Sequence, residues 1–238
     1  MAVKEYDLDQ PMDKLLSLAA NKFGEVEFQS VSVGGRTFEL LQIKHMQRYI
    51  DKLMDQTRAG KTVTLPLWAK IWQSGLVLGS SVARFPLAEG AKVLEIGGGA
   101  ATSGLLLAAR GFDVTVADKD PDALLFTRIN GLKNGLDLHC RLTDFRDELG
   151  VVFDCVVAGE MLFDERVFDA LVGFLDRHVA PGPEAEVFLA LDLKRAARNF
   201  FNEANERFAI MRSETTVKDN ETGEEKPLSL FRFKRRAA

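Results

Sequence analysis

The sequence predicts an α/β fold: a doubly wound, mostly parallel sheet of seven strands with a C-terminal antiparallel hairpin, preceded by an N-terminal helix/β-hairpin extension. Three observations carry that expectation. From Ala91 onward, short apolar runs alternate with helical stretches, the rhythm that puts helices on both faces of a parallel sheet. The first of these runs opens into Gly97-Gly98-Gly99 at the start of a helix. Residues 208–233 instead read as two strands joined by an acidic turn.

The elements follow in order. Asp9 is placed to cap a short helix with Pro11 in its first turn, and Gly24 to close it. Glu25 to Ile43 reads as two strands around Gly34-Gly35, a dipeptide suited to a hairpin turn. Lys44 to Thr57 reads as a helix, Gly60 to Leu67 as a linker carrying Pro66, and Trp68 to Arg84 as mostly helical, ended near Pro86. Residues 1–86 are expected to form an extension packed on a core of residues 87–238. The core strands fall near Lys92–Ile96, Asp113–Ala117, Leu138–Leu142, Val151–Ala158 and Glu186–Leu191. Pro121 starts a helix with Leu125, Ile129 and Leu132 on one face. Another helix lines up Val167, Leu171, Phe174 and His178 before Pro181, with His178 a partly buried helix-end residue. After a helix over Arg195–Arg207 come Phe208–Thr216, the acidic turn Asp219–Glu225, and Pro227–Phe233. The hairpin brings the strand count to seven in a Rossmann-like sheet.

Composition narrows the function. The 238 residues carry a net charge of -4, so no global basic field advertises nucleic acid or an anionic membrane. The basic run Phe231-Arg-Phe-Lys-Arg-Arg236 reads as a strand end with a solvated tail. Cys155 lies in an apolar run, Cys140 lacks ligand spacing, and the histidines are scattered, so neither a disulfide framework nor a metal site is expected. The start of the chain is polar and acidic, without a signal peptide, and no apolar stretch is long enough to cross a membrane. A cytoplasmic protein is expected.

The chemistry concentrates in Glu95-Ile-Gly97-Gly98-Gly99-Ala100-Ala101. Glycines let backbone turn sharply beside a ligand, and the following helix presents free N–H groups. A dinucleotide fingerprint would have a third glycine where this chain has Thr102. Glu95 would repel a pyrophosphate, but it can orient the amino-acid end of a cationic cofactor. Asp118, at the end of the second core strand, is placed to accept from both hydroxyls of a ribose. Asp144 can accept from an adenine amino group, and the ring of Phe145 can cover the base. Together these favour S-adenosylmethionine.

Four places carry a family likeness: Pro66-Leu-Trp68-Ala-Lys-Ile-Trp72, Glu95 to Gly99, Asp118, and Ala158-Gly-Glu160-Met-Leu-Phe163-Asp-Glu165. They resemble the class I, seven-β-strand S-adenosylmethionine-dependent methyltransferases over residues 66–236. The closer likeness is to their protein-lysine methyltransferase branch, with the electron-transfer flavoprotein β-subunit enzyme as the nearest parallel. The resemblance implies that Trp72, Glu95, Gly97, Gly99, Asp118, Asp144, Phe145 and Gly159 surround the cofactor. It also implies that Glu160 and Phe163, in the places of an Asp-x-x-Tyr/Phe motif, serve the acceptor amine of a protein lysine. Glu160 stands where Asp is usual, and Phe163 where Tyr is more frequent. The chain lacks the Asn/Asp-Pro-Pro-Tyr/Phe sequence of enzymes that methylate bases or glutamine amides. A small-molecule N- or O-methyltransferase and a non-catalytic cofactor-binding scaffold are the alternatives; a dehydrogenase is a distant one.

Overall fold

A computed structural model describes residues 6–193, 197–218 and 223–236. Its first helix, α1 (Met12–Phe23), buries Leu15, Ala19 and Phe23, a single stripe at four-residue spacing. Asp9 does not cap it. Pro11 occupies the cap position in an extended conformation, with no side-chain cap bond, which leaves Asp9 outside the first turn. Gly24 closes the helix, its N–H donating to the Ala20 carbonyl.

Strands β1 (Val26–Val33) and β2 (Arg36–Ile43) form an antiparallel hairpin. Gly34 and Gly35 make its two-residue turn, both with positive φ, the geometry a tight hairpin requires. β2 is held from its other side by side chains: Asn130 Oδ1 accepts from Leu41 N at 2.7 Å, and Asn134 bonds both Glu39 N and Glu39 O. The helix α2 (Met46–Arg58) starts two residues later than expected, because Lys44 N still pairs with Glu25 O. Residues 68–84 are not one helix. A short 3-10 turn, Leu67–Ala69, is followed by extended residues before α3 (Gln73–Val82), so Trp72 adopts φ -83°, ψ 136°.

The main sheet comprises β3 (Lys92–Ile96), β4 (Asp113–Asp118), β5 (His139–Leu142), β6 (Cys155–Gly159), β7 (Glu186–Asp192), β8 (Phe208–Lys218) and β9 (Glu225–Arg235). The order is β5-β4-β3-β6-β7-β9-β8, with β9 antiparallel to both neighbours and the other pairs parallel. This is the expected seven-stranded Rossmann-like fold. The fourth core strand is shorter than Val151–Ala158: Phe153 bridges to Val179, and the Asp154 carboxylate accepts from Lys92 N at 2.8 Å.

Helix α4 (Thr102–Ala108) and α3 cover one face of the sheet together with the hairpin residues Val33, Phe38 and Leu40. Helix α5 (Pro121–Lys133) packs by β4 and β5, with Leu41, Ile43 and α1 outside it. Its N-cap is Asp120, which accepts from Asp122 N at 2.9 Å ahead of Pro121. Helices α6 (Phe168–His178) and α7 (Arg198–Arg207) cover the opposite face. Residues 195–196 of the expected last helix and 219–222 of the acidic turn lie outside the described residues. α3, counted with the extension on sequence, packs on α4, β6 and β7.

His178 is fully buried, not partly: its Nδ1 donates to Phe174 O at 2.8 Å, and its Nε2 accepts from Leu149 N at 3.0 Å. The C-terminal cations are engaged within the fold. Arg232 and Lys234 pair with the buried Glu186, and Arg235 with Asp176 at 2.7 Å. Burial pushes the Cys155 thiol up to about 12, which keeps it a neutral core residue. No helix among the described residues is long and apolar enough to cross a membrane.

Candidate active site

Strand order reverses between β3 and β6: β4 and β5 extend the sheet on one side, β7 on the other. In such sheets the carboxyl ends of the strands at the reversal leave a crevice. Here a cleft of about 320 Å³ opens at that point. It is lined by the glycine turn after β3, the end of β4, the loop after β5, residues 159–164 and the segment Thr64–Trp72.

The turn after β3 has a left-handed residue at every second position: Gly97 (φ 63°), Gly99 (φ 51°) and Ala101 (φ 56°). Ala101, not Thr102, is therefore the third special position. Nothing in composition announces this, because alanine rarely adopts such a conformation. A Cβ on Gly99 would lie 2.7 Å from the Trp68 carbonyl oxygen, and one on Gly97 would collide with the Met161 thioether.

Glu95 lines the cleft but is also committed to the scaffold. Its Oε2 accepts from Gly104 N at 2.8 Å, satisfying one of the N–H groups left free at the start of α4. Gly104 makes that possible, since a Cβ there would sit 2.6 Å from the same oxygen. Burial raises Glu95 to about 8, against the lowering pull of the backbone N–H groups of Gly104 and Ser103.

Asp118 closes the other wall. Its Oδ1 accepts from Asp120 N at 2.9 Å and its Oδ2 faces Gly99 N at 3.5 Å, so acid and glycine turn are fixed to each other. Burial raises its carboxyl to about 6, and these N–H groups offset part of that rise. Asp144, at the rim, caps its own loop: Oδ1 accepts from Arg146 N at 3.2 Å and from the Arg146 guanidinium at 3.3 Å. Phe145 lines the cleft half-buried, its ring 5.9 Å from that of Phe174.

At the opposite end, Gly159 closes β6 against α3; a Cβ on it would lie 3.3 Å from the Gly75 Cα. Glu160 follows with φ 49°, an uncommon conformation for a residue with a side chain. The acid is buried and pinned, its N–H donating to Ala190 O at 2.8 Å and its Oε2 accepting from Asp192 N at 3.0 Å. Phe163 is 48% exposed, so it is no core residue; its ring stands 5.8 Å from that of Trp72. The Trp72 ring is held by its Nε1–H, which donates to Leu67 O at 2.9 Å. Asp164, also in the cleft lining, pairs with Arg166, which holds its carboxyl down to about 2.

All ten residues singled out on sequence therefore line one cleft. Sequence reasoning did not single out other residues that do, among them Asp120, Met161, Lys70 and Lys119. Asp120 had a signal, an Asp-Pro pair opening a helix; Met161 and Lys70 lie within the two segments that carry Glu160 and Trp72. Trp68, the other aromatic of its segment, packs by Phe23 and Phe126, with ring centroids at 5.6 and 4.9 Å.

A family model described as lysine methyltransferase matches residues 67–207. A search of curated proteins gives no match. Among solved structures, a 16S rRNA N2 methyltransferase from T. thermophilus, in complex with AdoMet and guanosine, aligns with TM-score 0.61 at 17% identity, over 89% of this chain and 51% of that one. A SAM-dependent methyltransferase from Agrobacterium tumefaciens aligns with TM-score 0.59 at 17% identity, covering 88% and 71%. A ribosomal protein L11 methylase from Lactobacillus delbrueckii subsp. bulgaricus aligns with TM-score 0.55 at 16% identity, covering 71% and 81%. These likenesses concern the fold.

Proposed function

The chain belongs to the lysine methyltransferase family and uses S-adenosylmethionine, and from that premise we propose that it methylates the side-chain amine of a lysine presented by a protein. The observation that supports this reading most is that the buried acid Glu160 shares one cleft with the exposed Phe163 ring and the half-buried Trp72 ring that it faces. A carboxylate with aromatic faces beside it suits an ammonium that must be held and aimed. An acceptor protein is further supported by charge: the chain is acidic, and Arg232, Lys234 and Arg235 of its basic C-terminal run are paired with Glu186 and Asp176.

The cleft fits the cofactor along its length. Asp118 would hold the ribose, Asp144 and Phe145 the adenine, and the bare turn at Gly97 and Gly99, with Glu95 and Gly159, the methionine end. Trp72 would pack at the junction of the cofactor and acceptor parts. When bound, S-adenosylmethionine supplies an electrophilic methyl on a sulfonium.

The chain's residues have three tasks. Glu160 holds the incoming ammonium, and Phe163 with Trp72 lines its path and strips part of its water. The amine must lose a proton before it can attack, because a free lysine near pKa ~10.4 is almost wholly charged at neutral pH. Glu160 is a poor obligate base, since a carboxylate beside an ammonium raises the amine's pKa, so water takes the proton. Positioning then supplies much of the rate.

The nearest branch proposed is the one that includes the electron-transfer flavoprotein β-subunit enzyme, on the strength of the Glu160–Phe163 motif. The test is calorimetry with S-adenosylmethionine, S-adenosylhomocysteine and NAD, followed by a labelled-methyl search of cell lysate and metabolite extract. Binding of the adenosyl pair with label on a protein lysine is expected. Label only on small molecules would replace the reading by a small-molecule methyltransferase, and binding without any transfer by a scaffold.

A further inference from the structure

One exposed residue of the cleft lining, Lys70, carries an ammonium of its own. Lys70 leaves the 3-10 turn Leu67–Ala69 with extended backbone, φ -82° and ψ 135°. Its Nζ stands 5.2 Å from the centroid of the Trp72 ring, within cation–π range. Lys70 lines the same cleft as Glu160 and Phe163, and the Trp72 ring that it covers is fixed by the bond to Leu67 O. An amine thus sits against the aromatic surface to which the proposed function sends an acceptor amine.

We propose that Lys70 is itself a methyl acceptor, modified within its own chain. This rests on the reading of Glu160, Phe163 and Trp72 as the acceptor channel. Lys70 lies two residues from Trp72, so no encounter with a second molecule is needed, and a tethered group faces the site at high effective concentration. In the step, the Lys70 ammonium gives a proton to water and its lone pair forms a bond to the methyl carbon. The carbon–sulfur bond of the sulfonium breaks, and its electron pair stays on sulfur as a neutral thioether. Lys119, which lines the cleft next to Asp118, serves as the internal comparison.

The experiment uses the full-length protein and methyl-deuterated S-adenosylmethionine, so that new methyl groups differ in mass from any acquired during expression. Peptide mapping of the purified and the incubated protein reads both. The expected result is methyl on Lys70, light or deuterated, with none on Lys119. Deuterium incorporation should follow a first-order rate constant that holds over a roughly hundredfold dilution of the protein. Lys70→Arg should lose the label, with S-adenosylhomocysteine calorimetry checking that its cofactor site is intact.

Each other outcome has one meaning. Label on a lysate protein with Lys70 unmodified overturns this inference and leaves the proposed function standing. Label on Lys119 alone, or a rate constant that rises with protein concentration, overturns modification within one chain. Label on Lys70 without any lysate target upholds the inference and removes the separate protein acceptor. Cofactor binding with no methyl group, light or deuterated, on Lys70 and no label on any other protein overturns both.

Discussion

The backbone N–H of Asp192 donates to Oε2 of Glu160 at 3.0 Å, tying the acid after β6 to the end of the neighbouring strand β7. Glu160 is thereby held in a left-handed conformation that a side-chain-bearing residue does not adopt without support. Glu160→Gln keeps an oxygen for Asp192 N but removes the charge. Turnover is expected to fall by at least ~100-fold, with the cofactor Kd changed by less than about threefold. Methyl-transfer rates set against calorimetric titration check this, and equal loss of both would sink the role proposed for Glu160.

Asp118 predicts a pH dependence of cofactor binding. Burial raises its carboxyl to about 6, so the folded, cofactor-free protein gains a proton there as pH falls through that value. A protonated carboxyl accepts fewer hydrogen bonds, and its ribose-holding role needs acceptors. Affinity for S-adenosylhomocysteine should therefore be level above pH ~7 and decline below ~6. Asp118→Asn should weaken binding throughout and remove most of that decline. An unchanged pH profile in the variant would assign the effect to another group.

Glu95 predicts a stability effect of opposite use. Its folded value is raised by burial to about 8, so the folded chain holds that proton more tightly than the unfolded chain. The resulting contribution to stability is complete below the ordinary carboxyl value of 4.5 and is lost as pH rises through about 8. Glu95→Gln retains an acceptor for Gly104 N and cannot ionise. The variant should match the parent near pH 5 and exceed it at pH 9 by on the order of a few kcal/mol. Urea midpoints measured across that range decide it.

The glycine turn predicts an asymmetry between two small substitutions. Gly99→Ala puts a Cβ 2.7 Å from a backbone oxygen of Trp68, in a left-handed residue, so neither strain nor clash can be relieved by rotating a side chain. A loss of stability above ~1 kcal/mol is expected, together with loss of cofactor binding. Ala101→Gly removes the same strain at φ 56° and gives up one buried methyl, so its stability should stay within about 1 kcal/mol of the parent. Thermal and urea unfolding of both variants test the pair.

Phe163 separates site from core. A buried phenylalanine costs about 3–5 kcal/mol on truncation to alanine, whereas Phe163 is 48% exposed. Phe163→Ala should cost less than ~1 kcal/mol in unfolding, yet slow methyl transfer by about tenfold or more through loss of the aromatic wall. A large loss of stability would return Phe163 to a packing role.

Where the chain's instructions are local, they were readable in advance. β3 covers the same residues, Lys92–Ile96, that the apolar run predicts, and Pro121 opens α5 behind its Asp120 cap. Where the structure departs, a distant partner intervenes. The strand expected from Val151 starts only at Cys155, because Phe153 pairs with Val179 and Asp154 with Lys92. The helix expected from Trp68 breaks before Trp72, whose ring packs against Phe163, 91 positions along the chain.

The sequence by itself determined the alternating architecture, the glycine turn after β3 and ten of the residues that line the cleft, since periodicity and short motifs act over a few neighbouring residues. Only the tertiary structure decided how those residues are used. It turned Glu95 toward Gly104, pinned Glu160 to Asp192, made Ala101 the third left-handed residue, and laid Lys70 over Trp72. The physical reason is that a hydrogen bond or ring contact depends on where separate strands and loops bring their ends together. That placement follows from strand order, and no local pattern encodes it.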